Sequence, residues 1–425
     1  MPRFPAVLVV VIAAFTSIDA MARDWPGFRG PSGNGITDEA DAPLEWSATK
    51  NIKWKVALPR SGNGSPIVSN ARVFVTSAED TDGKQRSLYC FDRKTGKQHW
   101  VKTVEFGKKM ITHPTNPYCG TTPVANGERV VVWHNSAGLY CYDFEGHELW
   151  SRDLGEFRHI WGYGTSPVIY NDKVMLNSGP GERIFMTAIS LEDGKTIWQT
   201  DEPHKGDGSK REDGKWMGSW STPVIAEVGG KDQVICTMPK RVVAYDPNNG
   251  SVIWSCDGIR GEMGSQGDLA YSSPVIVGDI CVAIGGYSGP AIGVRLGGSG
   301  NVTEANRLWR VGRNPQSIGS GVAIDGYLYR PNARPGTIEC LNPKTGEVVW
   351  SDRGAGAVNW GSIVYAAGRC YVTNQKGATV VFAPNPESCK ILAKNELGEG
   401  SNATPAISDG EIFVRTFEHL YCISE

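Results

Sequence analysis

Neither sign of charge prevails in this chain: 43 Lys and Arg stand against 45 Asp and Glu, a formal net charge of −2, with no basic or acidic block. That balance argues against nucleic acid or an anionic membrane surface as the main partner. Beyond the first 22 residues no apolar run approaches the ~18 residues of a membrane helix. Also missing are C-x-x-C-H, H-E-x-x-H and C-x-x-C, the spacings that would attach haem or hold zinc. No segment between turns carries a convincing helical period, which excludes a helical fold.

The one apolar run lies at the N-terminus. Arg3 supplies a positive start, Ala6 to Phe15 is apolar but short, and Ala20-Met21-Ala22 reads as a small-residue cleavage site. The expectation is a signal peptide over residues 1–22, cleavage after Ala22, and a monomeric bacterial protein in the periplasm or secreted space. Ten cysteines in an exported chain ordinarily suggest disulfides. Yet Cys90, Cys141, Cys340 and Cys422 recur at one place in successive repeats, where other repeats have Ala188 and Ala244, as small buried apolar residues do. Cys119, Cys256 and Cys389 lie outside that pattern and stay open as bridge or thiol sites.

What the sequence does have is a repeat. Trp100, Trp150, Trp198, Trp254, Trp309 and Trp350 close units that recur every 41 to 56 residues. A second landmark opens each unit: SPIV at 65, TPVA at 122, SPVI at 166, TPVI at 222, SPVI at 273, SGVAI at 320, SIV at 362 and TPAI at 404. Eight openings imply eight units. Inside them, short alternating runs of β-branched and aromatic residues are bounded by Asn, Asp and Gly, which is the pattern of strands and hairpins. Four strands at this period make a propeller blade. The eighth unit stops at Glu425 one strand short, and Asn51 to Leu58, with its own Trp54, supplies the missing strand. The expected fold is an all-β, eight-bladed propeller over residues 51–425, closed in its last blade by the N-terminal strand, with residues 23–50 packing on it.

Third and fourth strands are joined by Asp-x-x-x-Gly-x-x-x-Trp, as in Asp92, Gly96, Trp100 and Asp246, Gly250, Trp254. Aspartate accepts backbone N–H groups in a tight turn and glycine takes a positive φ. Trp54 and the six repeat tryptophans are therefore read as docking residues, each laying a large flat surface on a neighbouring blade. Departures support a structural role. Gly146 sits one residue early, Ser190 replaces Asp, the fifth unit has GGSGNVTEANRLW, and the seventh, APNPESCKIL, has no tryptophan.

The A-x-D-x-x-x-G-x-x-x-W repeat resembles the tryptophan-docking motif of the pyrroloquinoline-quinone (PQQ)-like propellers, which include quinoprotein alcohol dehydrogenases and the non-enzymatic outer-membrane assembly factor. Trp25-Pro26-Gly27-Phe28 resembles the W-P-x-[FY] segment ahead of many such propellers. The resemblance runs from about Trp25 to the C-terminus and speaks for fold more than activity. It implies that an enzyme of this group would stack PQQ between a tryptophan and a disulfide of adjacent cysteines, with Ca²⁺ near a catalytic aspartate. This chain has no adjacent cysteines and is shorter than those enzymes.

Residues just before each opening should gather at one mouth of the central channel. Three positions before the opening proline, or its equivalent, stand Asn63, Trp220, Tyr271, Trp360 and Asn402. The linkers add Tyr118, His159, Trp161, Tyr163, Asp268, Arg313, Gln316 and Asn359, with His113, Trp216, Glu262 and Gln266 nearby. Aromatics interleaved with Arg, Asn and Gln suit a sugar, a quinone or a peptide. Blander readings stand beside this one. Trp220, Tyr271 and Trp360 also suit a packed channel plug, His113 and His159 suit hydrogen-bonded loop residues, and 201–215 reads as an exposed, mobile connector. Asp268 with Glu262 offers oxygen ligands for Ca²⁺, although acids in a glycine-rich loop are commonly solvated. No catalytic residue and no metal site is assigned. The first functional expectation is an exported, non-catalytic scaffold that binds a protein or glycan in the cell envelope. The second is a PQQ-dependent alcohol or sugar dehydrogenase, with PQQ and Ca²⁺ around Trp161, Trp220, Asp268 and Trp360. A third is a hydrolase or lyase using a channel histidine.

Overall fold

The computed structural model describes residues 24–262, 266–354 and 356–425, and the expected signal peptide lies outside them. The turn-bounded apolar runs form eight antiparallel sheets: blades 1 (67–105), 2 (124–152), 3 (168–201), 4 (224–257), 5 (275–311), 6 (322–352), 7 (364–396) and 8. Blade 8 takes three strands from Ala406–Ser408, Glu411–Arg415 and His419–Ile423, and its fourth from Ile52–Ala57. At this seam Trp54 lies across from Cys422 and Lys55 across from Tyr421. The chain is thus an eight-bladed propeller closed by its N-terminal strand. Blade 4 gains a fifth, parallel strand, Gly300–Asn301, and a parallel pair, Trp216–Ser219 with Gly267–Ala270, stands outside the blades. Among the described residues no helix is long and apolar enough to cross a membrane.

The register explains both halves of the repeat motif. Trp100, Trp150, Trp198, Trp254, Trp309, Trp350 and Trp54 lie directly across from Cys90, Cys141, Ala188, Ala244, Gly293, Cys340 and Cys422. A large indole on the fourth strand thus has a small residue beside it on the third. Blade 7, which has no tryptophan, pairs Ala393 with the larger Val381. None of the ten cysteines is bridged.

Each indole is passed forward to the next blade. The N–H of Trp54 donates to the Arg93 carbonyl (2.8 Å), Trp100 to Phe144 (2.9 Å), Trp150 to Leu191 (2.9 Å), Trp198 to Pro247 (3.0 Å), Trp309 to Pro343 (2.7 Å) and Trp350 to Asn385 (2.9 Å). The receiving glycine has a second duty besides its positive φ. A Cβ on Gly96 would stand 2.8 Å from Trp54, and one on Gly250 only 2.4 Å from Trp198. Two junctions break the series. Trp254 donates within its own blade, to Gln233 Oε1 (2.8 Å), because the blade 5 insertion replaces the receiving turn and instead supplies the strand that pairs with Trp254. Blade 7 passes on no tryptophan to blade 8, whose third and fourth strands come from opposite ends of the chain and share no hairpin.

Around the channel the opening Ser and Thr form a second inter-blade series. The backbone N–H of Ser273 donates to Ser320 Oγ, Ser320 to Ser362, Ser362 to Thr404, Thr404 to Ser65, Ser65 to Thr122, Thr122 to Ser166 and Ser166 to Thr222, at 2.9–3.0 Å. Residues 24–50 strap the opposite face. Trp25 pairs with Val68, Ala125 N–H donates to Pro26 (2.8 Å), Arg29 donates to the Gly321 carbonyl, and Ile36 bridges Tyr365. Glu39 then accepts N–H bonds from Asp409 and Gly410 in blade 8. Arg29 is buried against carbonyls, and burial pulls its guanidinium down to about 9.

Candidate ligand-binding site at the channel mouth

The opening residues and the loops around them enclose a cavity of about 440 Å³, within the ~300–1,000 Å³ of small-molecule sites. The hydroxyl series forms its waist, and Phe28 of the N-terminal strap also lines it. One wall is aromatic. Trp161 is the hub: its ring centroid lies 5.0 Å from Trp216, 5.8 Å from Tyr287, 6.2 Å from Trp220 and 6.3 Å from Tyr271. Only Tyr287 in this set is nearly parallel to Trp161, at 11°. Tyr271 and Trp220 meet edge to face, an arrangement aromatic pairs favour.

Beside it the lining turns polar, with Asn116 Nδ2 donating to the Trp161 carbonyl (2.7 Å). Asn63, Asn116 and Asn402 form a knot: Asn63 Nδ2 donates to Thr115 O (3.0 Å) and Asn116 Oδ1 (2.9 Å), and Asn402 Nδ2 to Asn63 Oδ1 (3.2 Å). These amides tie blades 8, 1 and 2 together. Gln316 and Gln375 differ, since among the described residues their side-chain amides make no hydrogen bond. Among the described residues the lining has one fixed charge, Arg334, one histidine, His113, and no Asp, Glu or Cys.

Eight of the expected site residues line this cavity: Asn63, Trp161, Tyr163, Trp220, Tyr271, Gln316, Trp360 and Asn402. Five do not. Tyr118 turns away to donate to the Met110 carbonyl (2.6 Å) and cover Arg86. Arg313 is exposed outside the mouth, and Asn359 is wholly buried on the Asn374 bridge. His159 sits behind the aromatic wall, fully buried, 4.7 Å edge to face from Trp220, with Nδ1 accepting the backbone N–H of Trp161 (3.2 Å). Burial lowers its imidazole to about 4, which keeps it neutral, and its place behind the wall leaves it out of the cavity lining.

Asp268 is also behind the wall. Its Oδ2 takes Arg211 at 2.6 Å and its Oδ1 accepts the Gly261 N–H (2.8 Å), while Glu262 pairs with Arg310. Each acid already has its cation, so the two do not make a calcium pair. Arg211 belongs to the 201–215 connector, which is therefore not simply exposed, and Glu202 in the same loop is buried on Arg241 (2.9 Å). Sequence reasoning missed Thr115, Asn116, Tyr287, Arg334 and Gln375. Tyr287, Arg334 and Gln375 come from loops between second and third strands, which open at the same mouth, and only residues before the first strand had been counted.

The donors present do not suit PQQ with Ca²⁺. The cavity offers no carboxylate to hold the ion and no cysteine, and its one near-parallel aromatic pair is already stacked on itself. A planar ring between two others needs about 7 Å, twice the ~3.5 Å carbon contact.

A family model described as outer membrane protein assembly factor BamB matches residues 36–117, 84–352 and 334–422. The chain belongs to that family of PQQ-like propellers. Among solved structures it is similar to a quinohemoprotein alcohol dehydrogenase from Comamonas testosteroni, with 13% identity over 94% of this chain and 80% of that one and a TM-score of 0.66. It is similar to BamB from Moraxella catarrhalis at 14% identity, 88% and 99% coverage and a TM-score of 0.58. It is also similar to the computationally designed Ika8 protein at 12% identity, 92% and 100% coverage and a TM-score of 0.54. At these identities the likeness is one of fold. No curated protein matches.

Proposed function

We propose that this chain is an exported, non-catalytic member of the family that captures a ligand at the channel mouth as part of a scaffold in the cell envelope. The observation that carries this reading is the cavity lining: aromatics, amides and hydroxyls around one arginine, Arg334, and one histidine, His113, with no carboxylate or cysteine among the described residues to work beside that histidine. General acid–base or nucleophilic chemistry needs a titratable group poised near neutral pH within reach of substrate. The buried candidate, His159, is held neutral behind the wall. Membership in a family described as an outer-membrane assembly factor supports the envelope setting.

The test is an absorbance titration of the purified protein with PQQ and Ca²⁺, coupled to dye-linked oxidation of alcohols and sugars. No saturable binding and no turnover are expected. Saturable binding with turnover overturns the reading in favour of the dehydrogenase.

A further inference from the structure

We infer that the ligand of the channel mouth is a neutral oligosaccharide, an inference that rests on the binding reading above. Three features of the cavity converge on it. The aromatic wall presents half-buried Trp161 and Tyr287, nearly parallel at 11°, with half-buried Trp216 tilted by 52° to Trp161. Such a corner matches the C–H faces of successive pyranose rings better than one planar heterocycle. Trp161, Trp216 and Trp360 also keep their indole N–H groups without an acceptor among the described residues, whereas Trp220 donates to Gly162 O at 2.8 Å.

In the same lining, Gln316 and Gln375 offer uncommitted amides. An amide supplies both donors and an acceptor, the pairing that a sugar's hydroxyls require. Because they line the same cavity as the stacking rings, a sugar ring on the aromatics has amides available for its hydroxyls.

Charge and edge geometry separate this ligand class from its rivals. With Arg334 as the one fixed charge and no carboxylate in the lining among the described residues, a polyanion finds little to neutralise it, and a cation finds no counter-charge and a Trp216 ring that Lys210 already covers at 4.6 Å. An extended peptide would add to an unpaired strand edge. The strands at the mouth, Trp216–Ser219 and Gly267–Ala270, pair with each other, and the outer edge of the second is taken by the next blade, where Ala270 bridges Gly285 and the Gly286 N–H donates to Leu269 O (2.7 Å).

The experiment is calorimetric titration of the full mature chain with neutral trisaccharides of glucose, xylose and mannose. Parallel titrations use trigalacturonate and an uncharged hexapeptide. At least one neutral trisaccharide should bind in the micromolar to millimolar range. Trp161→Ala should weaken it at least about tenfold, as loss of an aromatic anchor does, and Gln375→Ala by a smaller factor. Trp161→Phe, which keeps a ring and guards against misfolding, should retain most of the affinity. The inference is overturned if no neutral trisaccharide binds, or if binding ignores both Trp161→Ala and Gln375→Ala. Binding of only the acidic sugar or the peptide, with the same Trp161 dependence, overturns the glycan class and leaves the binding reading standing. Turnover with PQQ and Ca²⁺ defeats both.

Discussion

Two sets of tryptophans divide this molecule. The docking set, Trp54 with the six repeat tryptophans, satisfies every indole N–H and is opposed in register by Cys, Ala or Gly. The channel set, Trp161, Trp216, Trp220 and Trp360, lines a cavity, and only Trp220 has its N–H engaged. Between these two sets the polar atom is consumed within the fold in the first and mostly left over in the second, while Trp46 and Trp133 belong to neither and bury their indole N–H groups unpaired. Repetition therefore marks the structural set and irregularity the functional one.

The largest effect that would break this comparison is a truncation in each set. Trp150→Ala removes a buried indole and its bond to Leu191 and should cost about 3–5 kcal/mol, read as a lower denaturant midpoint, with ligand affinity unchanged in the protein that remains folded. Trp161→Ala should do the reverse, with a smaller stability loss and the binding defect described above. Equal losses of stability from both would erase the distinction.

The glycine partners sharpen it next. Gly250→Ala meets both a left-handed φ of 73° and Trp198 at 2.4 Å, whereas Gly326→Ala has a φ of 79° with open space around it. The second should cost about 1–2 kcal/mol for backbone strain alone, and the first clearly more, measured by urea unfolding. Similar costs would mean that the glycine only shapes its turn.

A smaller effect is expected at the waist of the channel. Thr404→Val keeps the shape but leaves the Ser362 N–H without its acceptor, a loss of about 1–3 kcal/mol for a buried unsatisfied donor. The smallest is in pH. Burial depresses His159 to about 4 and His134 to about 3 from 6.5, so neutral imidazoles are favoured in the fold. Their contribution is complete above pH 6.5 and is lost as pH falls through the folded values. Melting temperature should therefore decline between pH 6.5 and 4, and His159→Gln should flatten that decline.

The architecture was legible because its devices repeat. Tryptophan, glycine and the opening hydroxyl each recur at every blade that needs them, and even the seam followed from a missing strand and a spare one. The site was legible only where it borrowed that frame. Asn63, Trp220, Tyr271, Trp360 and Asn402 were found by counting back from an opening proline or its equivalent. Tyr287, Arg334 and Gln375 have no such reference point, since they arrive on loops of differing length between second and third strands. Linker composition also gave no sign of which side of the wall a residue takes, so Asp268 and His159 were expected in the cavity and lie behind it.

The forward passing of indoles has a mechanical consequence. It joins blades 8, 1, 2, 3 and 4 into one arc and blades 5, 6 and 7 into another, leaving two lines that no tryptophan crosses. Glu39 of the strap laces the line between blades 7 and 8, linking the Ala367 N–H to Asp409 and Gly410. The line between blades 4 and 5 emerges at the mouth between Trp220 and Tyr271. There the pairing of Trp216–Ser219 with Gly267–Ala270 and of Trp254 with Gly300 joins the blades in place of an indole, so the aromatic wall stands on strand hydrogen bonds.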